Sequence, residues 1–193
     1  IREMADELIG IAAARSLKTS PRIFVPDAIY EEFCARFPFT ETDDQARAIA
    51  DVLDDLESGH PADRLICGDV GFGKTEIAMR AAFAVAYDGK QVAIVVPTTL
   101  LCRQHFQNFV QRFAGFPIRI EQVSRLVASG QINAVKQGLK DGSVDIVIGT
   151  HALLAKDVRF RELGLLVIDE EQHFGVAHKE RLKRLRSDVH VLT

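Results

Sequence analysis

Arg64-Leu-Ile-Cys-Gly-Asp-Val-Gly-Phe-Gly-Lys-Thr-Glu76 is the stretch that decides the fold of this chain. Apolar residues at 65–67 precede a glycine-rich turn, and apolar positions at helical spacing follow it over 75–86. Four residues match the phosphate-loop pattern G-x-x-x-x-G-K-[ST]: Gly68, Gly73, Lys74 and Thr75. The order strand, loop, helix predicts a nucleotide site. In that order the backbone N–H groups of the loop and the N-terminus of the helix both face the same bound anion.

The residues of this loop have separate expected roles. Lys74 is placed to reach the β- and γ-phosphates, and the Thr75 hydroxyl to ligate Mg²⁺. The other candidate nucleotide-binding residues of the stretch are Gly68, Asp69, Gly71, Gly73 and Glu76.

Strand and helix signals alternate from residue 64 onward. We predict strands at 64–67, 91–96, 118–123, 144–148 and 164–168, with a last one beginning near 189. We predict helices at 75–87, 98–114, 130–140 and 178–186. This alternation predicts an α/β fold with a mostly parallel sheet covered by helices on both faces. Ligands of such sheets bind beyond the carboxyl ends of the strands.

Helical signals also precede the sheet. Apolar periodicity predicts a helix at 2–17, and start signals at Pro26-Asp27 and Thr42 predict two more, at 26–37 and 43–56. Thr42 is a plausible N-cap for the third. We therefore divide the chain into an N-terminal helical connector, 1–37, and a nucleotide-binding lobe, 38–193. Because the chain begins without Met and ends inside an apolar run, we expect it to be a piece of a longer protein.

The composition is that of a soluble globular protein, with 47% hydrophobic and 26% charged residues. A net charge of −3 gives no overall nucleic-acid signature, so any such contact must come from a local patch. The three cysteines show neither metal-binding nor disulfide spacing, which fits a reducing cytoplasm. No membrane-span signal and no signal peptide are visible, so we expect a cytoplasmic protein with no membrane partner.

A cluster of acids follows the strand predicted at 164–168. A phosphate loop needs an acid at the end of a neighbouring strand to hold Mg²⁺, and Asp169 is placed for that role. Glu170 is the candidate to orient or deprotonate an attacking water. An acidic cluster alone equally fits a solvated strand end, but the phosphate loop favours a catalytic set of Lys74, Asp169 and Glu170.

Three further motifs select a class of nucleotide-binding protein: Phe39–Gln45, Pro97–Leu101 and Ile148–His151. The absence of Asn-Lys-x-Asp argues against a GTPase. Together the motifs resemble the first RecA-like lobe of superfamily 2 helicases and translocases. The resemblance implies ATP and Mg²⁺ as cofactors, with Gln45 reading the adenine edge. An amide suits that role because it both donates and accepts hydrogen bonds.

The same resemblance implies contacts to a nucleic-acid strand. Hydroxyls and N–H groups at helix N-termini suit phosphate oxygens and carry no sequence information. Taken singly, each of these residues would be interpreted as a helix cap or a loop residue. The implied contacts are Thr98, Thr99, Ser124, Arg125, Gly149, Thr150 and His151.

Longer segments are similar to the bacterial transcription-repair coupling factors: Cys67–Glu76, Val95–Leu100, Val144–His151 and Leu163–Gln172. RecG-like fork helicases usually have Asp-Glu-Gln-His where this chain has Asp-Glu-Glu-Gln at 169–172. His173 departs from the pattern, which has arginine there. The resemblance implies an ATP-driven motor on double-stranded DNA that displaces stalled RNA polymerase. Its polymerase and excision-repair partners would bind domains outside this chain.

Two alternatives stay open at this stage: a RecG-like fork-remodelling lobe, and a non-catalytic module that uses nucleotide as a switch. Intact Lys74, Thr75, Asp169 and Glu170 favour a motor. The resemblance also places the arginine finger in a second lobe after residue 193, so we expect the isolated chain to be nearly inactive. The basic run at 178–186 fits either a DNA contact or an amphipathic helix with solvated charges.

Overall fold

The fold rests on one parallel sheet. The computed structural model describes residues 18–68, 73–170, 182, 185 and 189–193. Within these residues the six strands are β1 (Asp63–Arg64), β2 (Gln91–Val95), β3 (Ile120–Val123), β4 (Ile146–Gly149), β5 (Leu163–Ile168) and β6 (His190–Leu192). Their order across the sheet is β1-β6-β5-β2-β4-β3, and every neighbouring pair is parallel. The predicted α/β class with a parallel sheet is confirmed.

Five α-helices are described: α1 (Asp27–Ala35), α2 (Asp43–Glu57), α3 (Lys74–Tyr87), α4 (Thr99–Arg112) and α5 (Ser129–Asp141). The predicted N-cap at Thr42 is confirmed as a capping box. Its hydroxyl accepts from the Gln45 N–H at 3.2 Å, and the Gln45 side-chain oxygen accepts from the Thr42 N–H at 3.0 Å. Thr98 caps α4 in the same way, by accepting from the Leu101 N–H at 3.2 Å.

Apolar side chains fill both faces of the sheet. On one face Phe33 of α1 stacks on Phe83 of α3, with ring centroids 4.1 Å apart. On the other face Val135 and Leu139 of α5 pack with Leu182. The central strands send alternate side chains to the two clusters, which is why their sequences are continuously apolar. The helix α1 therefore shares a core with the sheet, while the domain boundary at residue 37 stays a prediction.

Several predicted boundaries are wrong. The strand predicted at 64–67 is only Asp63–Arg64, because β1 lies at the sheet edge and the chain leaves it to enter the phosphate loop. One further ladder bond, from the Ile66 N–H to the Thr193 carbonyl at 2.7 Å, continues the pairing. The strand predicted at 118–123 begins at Ile120, and that at 144–148 is Ile146–Gly149. A short 3₁₀ helix, His151–Leu154, was not predicted.

Some predictions fall outside the described residues: the helix at 2–17, most of the helix at 178–186, and His173. Leu182 and Leu185 are described, and both are helical, Leu182 buried and Leu185 half-buried. No helix among the described residues combines the length and the apolar character that a bilayer crossing requires.

Candidate nucleotide and nucleic-acid site

The predicted site residues gather along one edge of the sheet. Parallel strands all point the same way, so the loops after β1, β2, β3, β4 and β5 emerge together. The phosphate loop follows β1, Thr98 follows β2, Arg125 follows β3, His151 follows β4 and Asp169 follows β5.

The phosphate loop is described at its two ends. Lys74 donates from Nζ to the Gly68 carbonyl at 2.7 Å, so the side chain reaches back across the mouth of the loop. Gly73, at φ +73°, turns the chain in the left-handed region directly before α3. Thr75 lies in the first turn of α3, half-buried. Asp69 and Gly71 lie outside the described residues.

A cleft of about 960 Å³ opens beside this loop, and Gln45, Gly73 and Thr75 line it. The amide nitrogen of Gln45 lies against Gly73, in the space that a Cβ there would take. The residue expected to read the base therefore sits directly beside the loop expected to hold the phosphates. The volume falls within the range of small-molecule sites.

The sequence assigns no role in the site to several other residues that line this cleft, among them Phe37, Phe39, Asn108, Gln111 and Arg112. Phe39 is 75% exposed, an unusual setting for a large apolar ring. Its position within the Phe-Pro-Phe run ahead of Gln45 was the available signal. An exposed aromatic face at the mouth of such a cleft suits stacking against a planar base.

Glu76 contacts two cations. It is 5% exposed, and its Oε1 accepts at 2.8 Å from both Arg80 Nε and Arg112 Nη2. Glu41 pairs with the other end of Arg80, and the Arg112 guanidinium lies 4.5 Å from the Phe33 ring centroid. These contacts make Glu76 the centre of a buried ionic cluster under the cleft, and its predicted contact with nucleotide stays a prediction.

Asp169 stands at the end of β5, where its backbone N–H donates to the Val95 carbonyl at 2.9 Å. Its carboxylate Oδ2 lies 3.5 Å from His105 Nε2. The hydrogen bond from His105, helped by the charge of Lys74, lowers the pKa of Asp169 below its usual range. The acid is therefore held as the carboxylate, which is the form that binds a metal ion. Glu170, next in the chain, adopts a left-handed backbone with φ 52°.

The Thr75 hydroxyl and the Asp169 carboxylate are hard oxygen donors, as Mg²⁺ prefers. No group of three His, Cys, Asp or Glu side chains in the described ranges could hold a metal ion unaided. This donor set fits Mg²⁺ bound jointly by the protein and nucleotide phosphates, because Mg²⁺ is usually held by one or two protein ligands plus substrate oxygens.

A second cleft, about 460 Å³ in volume, lies beside the first along the same sheet edge. Its lining includes six predicted nucleic-acid contacts: Thr98, Thr99, Ser124, Arg125, Thr150 and His151. Arg125 and His151 are exposed, whereas Ser124 and Thr150 are buried. Gly149 does not line the cleft; a Cβ there would meet the Val123 carbonyl at 2.7 Å, so it allows β3 and β4 to approach.

Lys136 of α5 also lines this second cleft and was not predicted. It donates to Asp157 at 2.6 Å, and this bond lowers the pKa of the Asp157 carboxyl. The cleft thus combines the exposed guanidinium of Arg125 with the Lys136 ammonium and several hydroxyl groups, the lining expected for a phosphate backbone.

Comparison with known proteins agrees with this geometry. A family described as "DEAD/DEAH box helicase" matches residues 42–192, which include the second cleft and most of the sheet. This chain belongs to the DEAD/DEAH box helicase family.

Three similar proteins are all transcription-repair-coupling factors. This helicase lobe is 54% identical to the transcription-repair-coupling factor of Rickettsia prowazekii, 50% to that of Bacillus subtilis and 55% to that of Mycobacterium tuberculosis. The alignments cover 100% of this chain but only 18%, 16% and 16% of those relatives. The predicted resemblance to transcription-repair-coupling factors is confirmed, and this chain spans about a sixth of their length.

Solved helicase structures have the same architecture. The structure of RecG bound to a three-way DNA junction superposes with a TM-score of 0.82 at 34% identity, covering 95% of this chain and 24% of that one. A hypothetical ATP-dependent RNA helicase from Sulfolobus tokodaii gives a TM-score of 0.64 at 19% identity, covering 87% and 50%, which supports the fold alone.

Proposed function

We propose that this chain is the ATP-binding lobe of a double-stranded DNA translocase that displaces stalled RNA polymerase and couples transcription to nucleotide excision repair. The observation that best supports this proposal is that two clefts open at one sheet edge. One lies beside the phosphate loop, and the other is lined by Thr98, Arg125 and His151. ATP and DNA bound there would share the loops that follow adjacent strands. The names of the relatives supply the polymerase and repair partners.

In this proposal each residue of the nucleotide site has one task. Bound Mg²⁺·ATP would supply the phosphoryl group and its metal. Lys74 neutralises charge on the β- and γ-phosphates, and Thr75 with Asp169 provides the oxygen ligands for the metal. Glu170 orients or deprotonates the attacking water. Gln45 and Phe39 hold the base.

The isolated lobe should hydrolyse ATP barely, if at all. The resemblance to superfamily 2 motors places the arginine finger in a second lobe, and such a finger is worth about 10³–10⁵ in rate. Turnover by the purified 193-residue chain at the rate of an intact motor would contradict this expectation. A bacterial cytoplasm is the proposed location, because it supplies ATP and keeps thiols such as Cys34, Cys67 and Cys102 reduced.

The test requires a protein with the full length of the relatives that contains this chain. RNA polymerase is stalled on duplex DNA by withholding a nucleotide, and release is followed with ATP present. Release by the wild type and none by K74A would support the proposal. A Glu170→Gln variant should bind ATP without hydrolysing it, whereas a nucleotide-gated module that never hydrolyses ATP would be unaffected.

A fork-remodelling helicase is the second candidate, and the TM-score of 0.82 to junction-bound RecG favours it. Absence of polymerase release, together with ATP hydrolysis stimulated by branched rather than linear duplex DNA, would establish this alternative.

A further inference from the structure

Helix α4 runs from one cleft to the other. Its N-cap Thr98 and first residue Thr99 line the cleft proposed for DNA. About two turns later, roughly 10 Å along the helix axis, His105 faces Asp169, with Nε2 3.5 Å from Oδ2. One rigid element therefore contacts both the proposed DNA site and the acid proposed to hold Mg²⁺.

The helix is firmly anchored on either side of His105. Cys102 is fully buried and its Sγ donates to the Ile148 carbonyl at 3.4 Å. Phe109 is buried and stacks on Phe113, with ring centroids 5.4 Å apart. This packing fixes the position of the His105 imidazole, because close-packed side chains leave little room for the helix to shift.

The imidazole has a single polar contact in the described part of the chain. Its side chain is 16% exposed, whereas that of Asp169 is 37% exposed. The other ring nitrogen, Nδ1, is buried and has no hydrogen-bond partner among the described residues. A buried polar nitrogen without a partner is a cost to the fold. The contact with Asp169 is thus the one polar interaction here that offsets burial of this ring.

We propose that His105 is a positioning residue that fixes the orientation of the Asp169 carboxylate, and that through it α4 couples duplex DNA at the second cleft to the Mg²⁺ that Asp169 and Thr75 would hold. This inference rests on the proposed function and assigns a residue to its coupling step. The carboxylate is 37% exposed, so a donor held in place by α4 can select its rotamer. Partners of this kind, one shell outside a metal, typically change metal affinity by about 10–100-fold when removed.

The first experiment measures binding rather than hydrolysis. Thermal unfolding of the 193-residue chain is followed with increasing AMPPNP, a non-hydrolysable ATP analogue, in Mg²⁺ or in EDTA. The rise in midpoint reports affinity, since ligands that bind the native state stabilise it by mass action. The variants are H105L, which removes the donor, H105Q, whose amide N–H can reach the Nε2 position, and H105N, which is too short. Q104L, on an exposed neighbouring position, is the matched control.

In wild type and Q104L, Mg²⁺ should strengthen AMPPNP binding. In H105L and H105N the increase in AMPPNP affinity that Mg²⁺ causes should be smaller by about 10-fold or more. H105Q should keep most of that increase. Affinity in EDTA should be equal in all five proteins, a result that general misfolding would not give. If H105L does not fold, the comparison of H105Q with H105N decides the question.

The second experiment measures coupling. Affinity for a fluorescein-labelled 30-base-pair duplex is measured by anisotropy, with and without AMPPNP and Mg²⁺. Coupling between two ligands is reciprocal, so bound nucleotide should change the affinity for duplex DNA if DNA changes the affinity for nucleotide. The change should be seen in wild type and H105Q and should be smaller in H105L.

An H105L variant with the same Mg²⁺ gain and the same DNA coupling as wild type would overturn the role of His105 and leave the proposed function intact. Wild type that shows no Mg²⁺-dependent AMPPNP binding would overturn both.

Discussion

The side-chain amide of Gln45 packs against Gly73 so closely that its nitrogen occupies the position where a side chain on residue 73 would begin. The oxygen of the same amide accepts the Thr42 N–H at 3.0 Å, which closes the capping box of α2. The helix cap therefore directs the NH₂ group of Gln45 toward the phosphate loop. One amide both stabilises a helix and presents a donor to the cleft.

Substitution of Gln45 by Glu separates these two tasks. Glutamate keeps the acceptor for Thr42, so the free energy of unfolding should change by less than about 0.5 kcal/mol. Affinity for ATP should fall by about tenfold or more, because the amide donor to the adenine edge is replaced by a carboxylate that can only accept. Denaturant unfolding and calorimetric titration measure the two quantities. T42A, the matched control, should lose about 1 kcal/mol of stability with a smaller loss of affinity. Wild-type affinity in Q45E would exclude the base-reading role.

Removal of the Glu76 carboxylate should be strongly destabilising. E76A leaves Arg80 and Arg112 buried without their shared acceptor, and breaking a buried ion pair from one side costs about 3–5 kcal/mol. The control is R47A, whose partner Asp44 is exposed and whose loss should cost less than about 1 kcal/mol. Urea unfolding measures both variants. A cost for E76A as small as that for R47A would show that the cluster contributes little to the fold.

The three cysteines should differ in their rates of alkylation. Burial raises the pKa of Cys102 to about 11, and its side chain is fully buried. Because the pKa is raised, the reactive thiolate is about one thousandth of that thiol at pH 8 and increases about tenfold per pH unit. Cys67 is exposed beside Gly68. Iodoacetamide labelling followed by mass spectrometry should find Cys67 modified first and Cys102 last. Bound Mg²⁺·ATP should protect Cys67, and rapid labelling of Cys102 in folded protein would contradict the packing of α4.

Replacement of Arg125 by Ala should weaken duplex DNA binding equally for all sequences. An exposed cation in a phosphate contact releases counterions, so its loss should reduce the slope of log affinity against log salt by about 1. Ser124 is the contrasting neighbour, because its buried hydroxyl accepts from the Leu126 N–H at 3.4 Å and supports the loop. S124A should reduce stability and leave the salt slope unchanged. Anisotropy titrations over a range of salt give the slopes, and an unchanged slope in R125A would remove it from the DNA contacts.

Much of the sheet could be predicted from local pattern. The strands β2 and β5 are mostly apolar runs. Both faces of each strand are buried, so apolar side chains are needed at nearly every position. The strand β1 could not be delimited, because Leu65 is apolar yet exposed and only the position at the sheet edge explains this. Gln91 is a polar residue inside the sheet. It is satisfied by the Leu139 and Val144 carbonyls, each at 2.9 Å, in another part of the chain.

The residues of the candidate site also divide into those that local sequence pattern indicates and those that only the three-dimensional structure reveals. Glycines, Lys74, Thr75 and Asp169 could be proposed from the sequence because nucleotide chemistry demands fixed residue types at fixed spacing, and their roles stay predictions. His105 and Arg112 could not be recognised, because their contacts with Asp169 and Glu76 join residues distant in sequence. In the sequence alone, Glu76 lay beside the phosphate-loop residues and was assigned with them, yet the described structure pairs it with Arg112 on another helix.

The strand β6 lies between β1 and β5, so the strand that leads into the phosphate loop is held by residues near the other end of the chain. The Ala62 N–H donates to His190 Nδ1 at 3.3 Å across 128 residues of sequence. During synthesis, the ribosome must therefore produce β6 before β1 has a partner. Until then the phosphate loop emerges from an unpaired segment, and we expect a nascent chain to hold ATP only after β6 has been made.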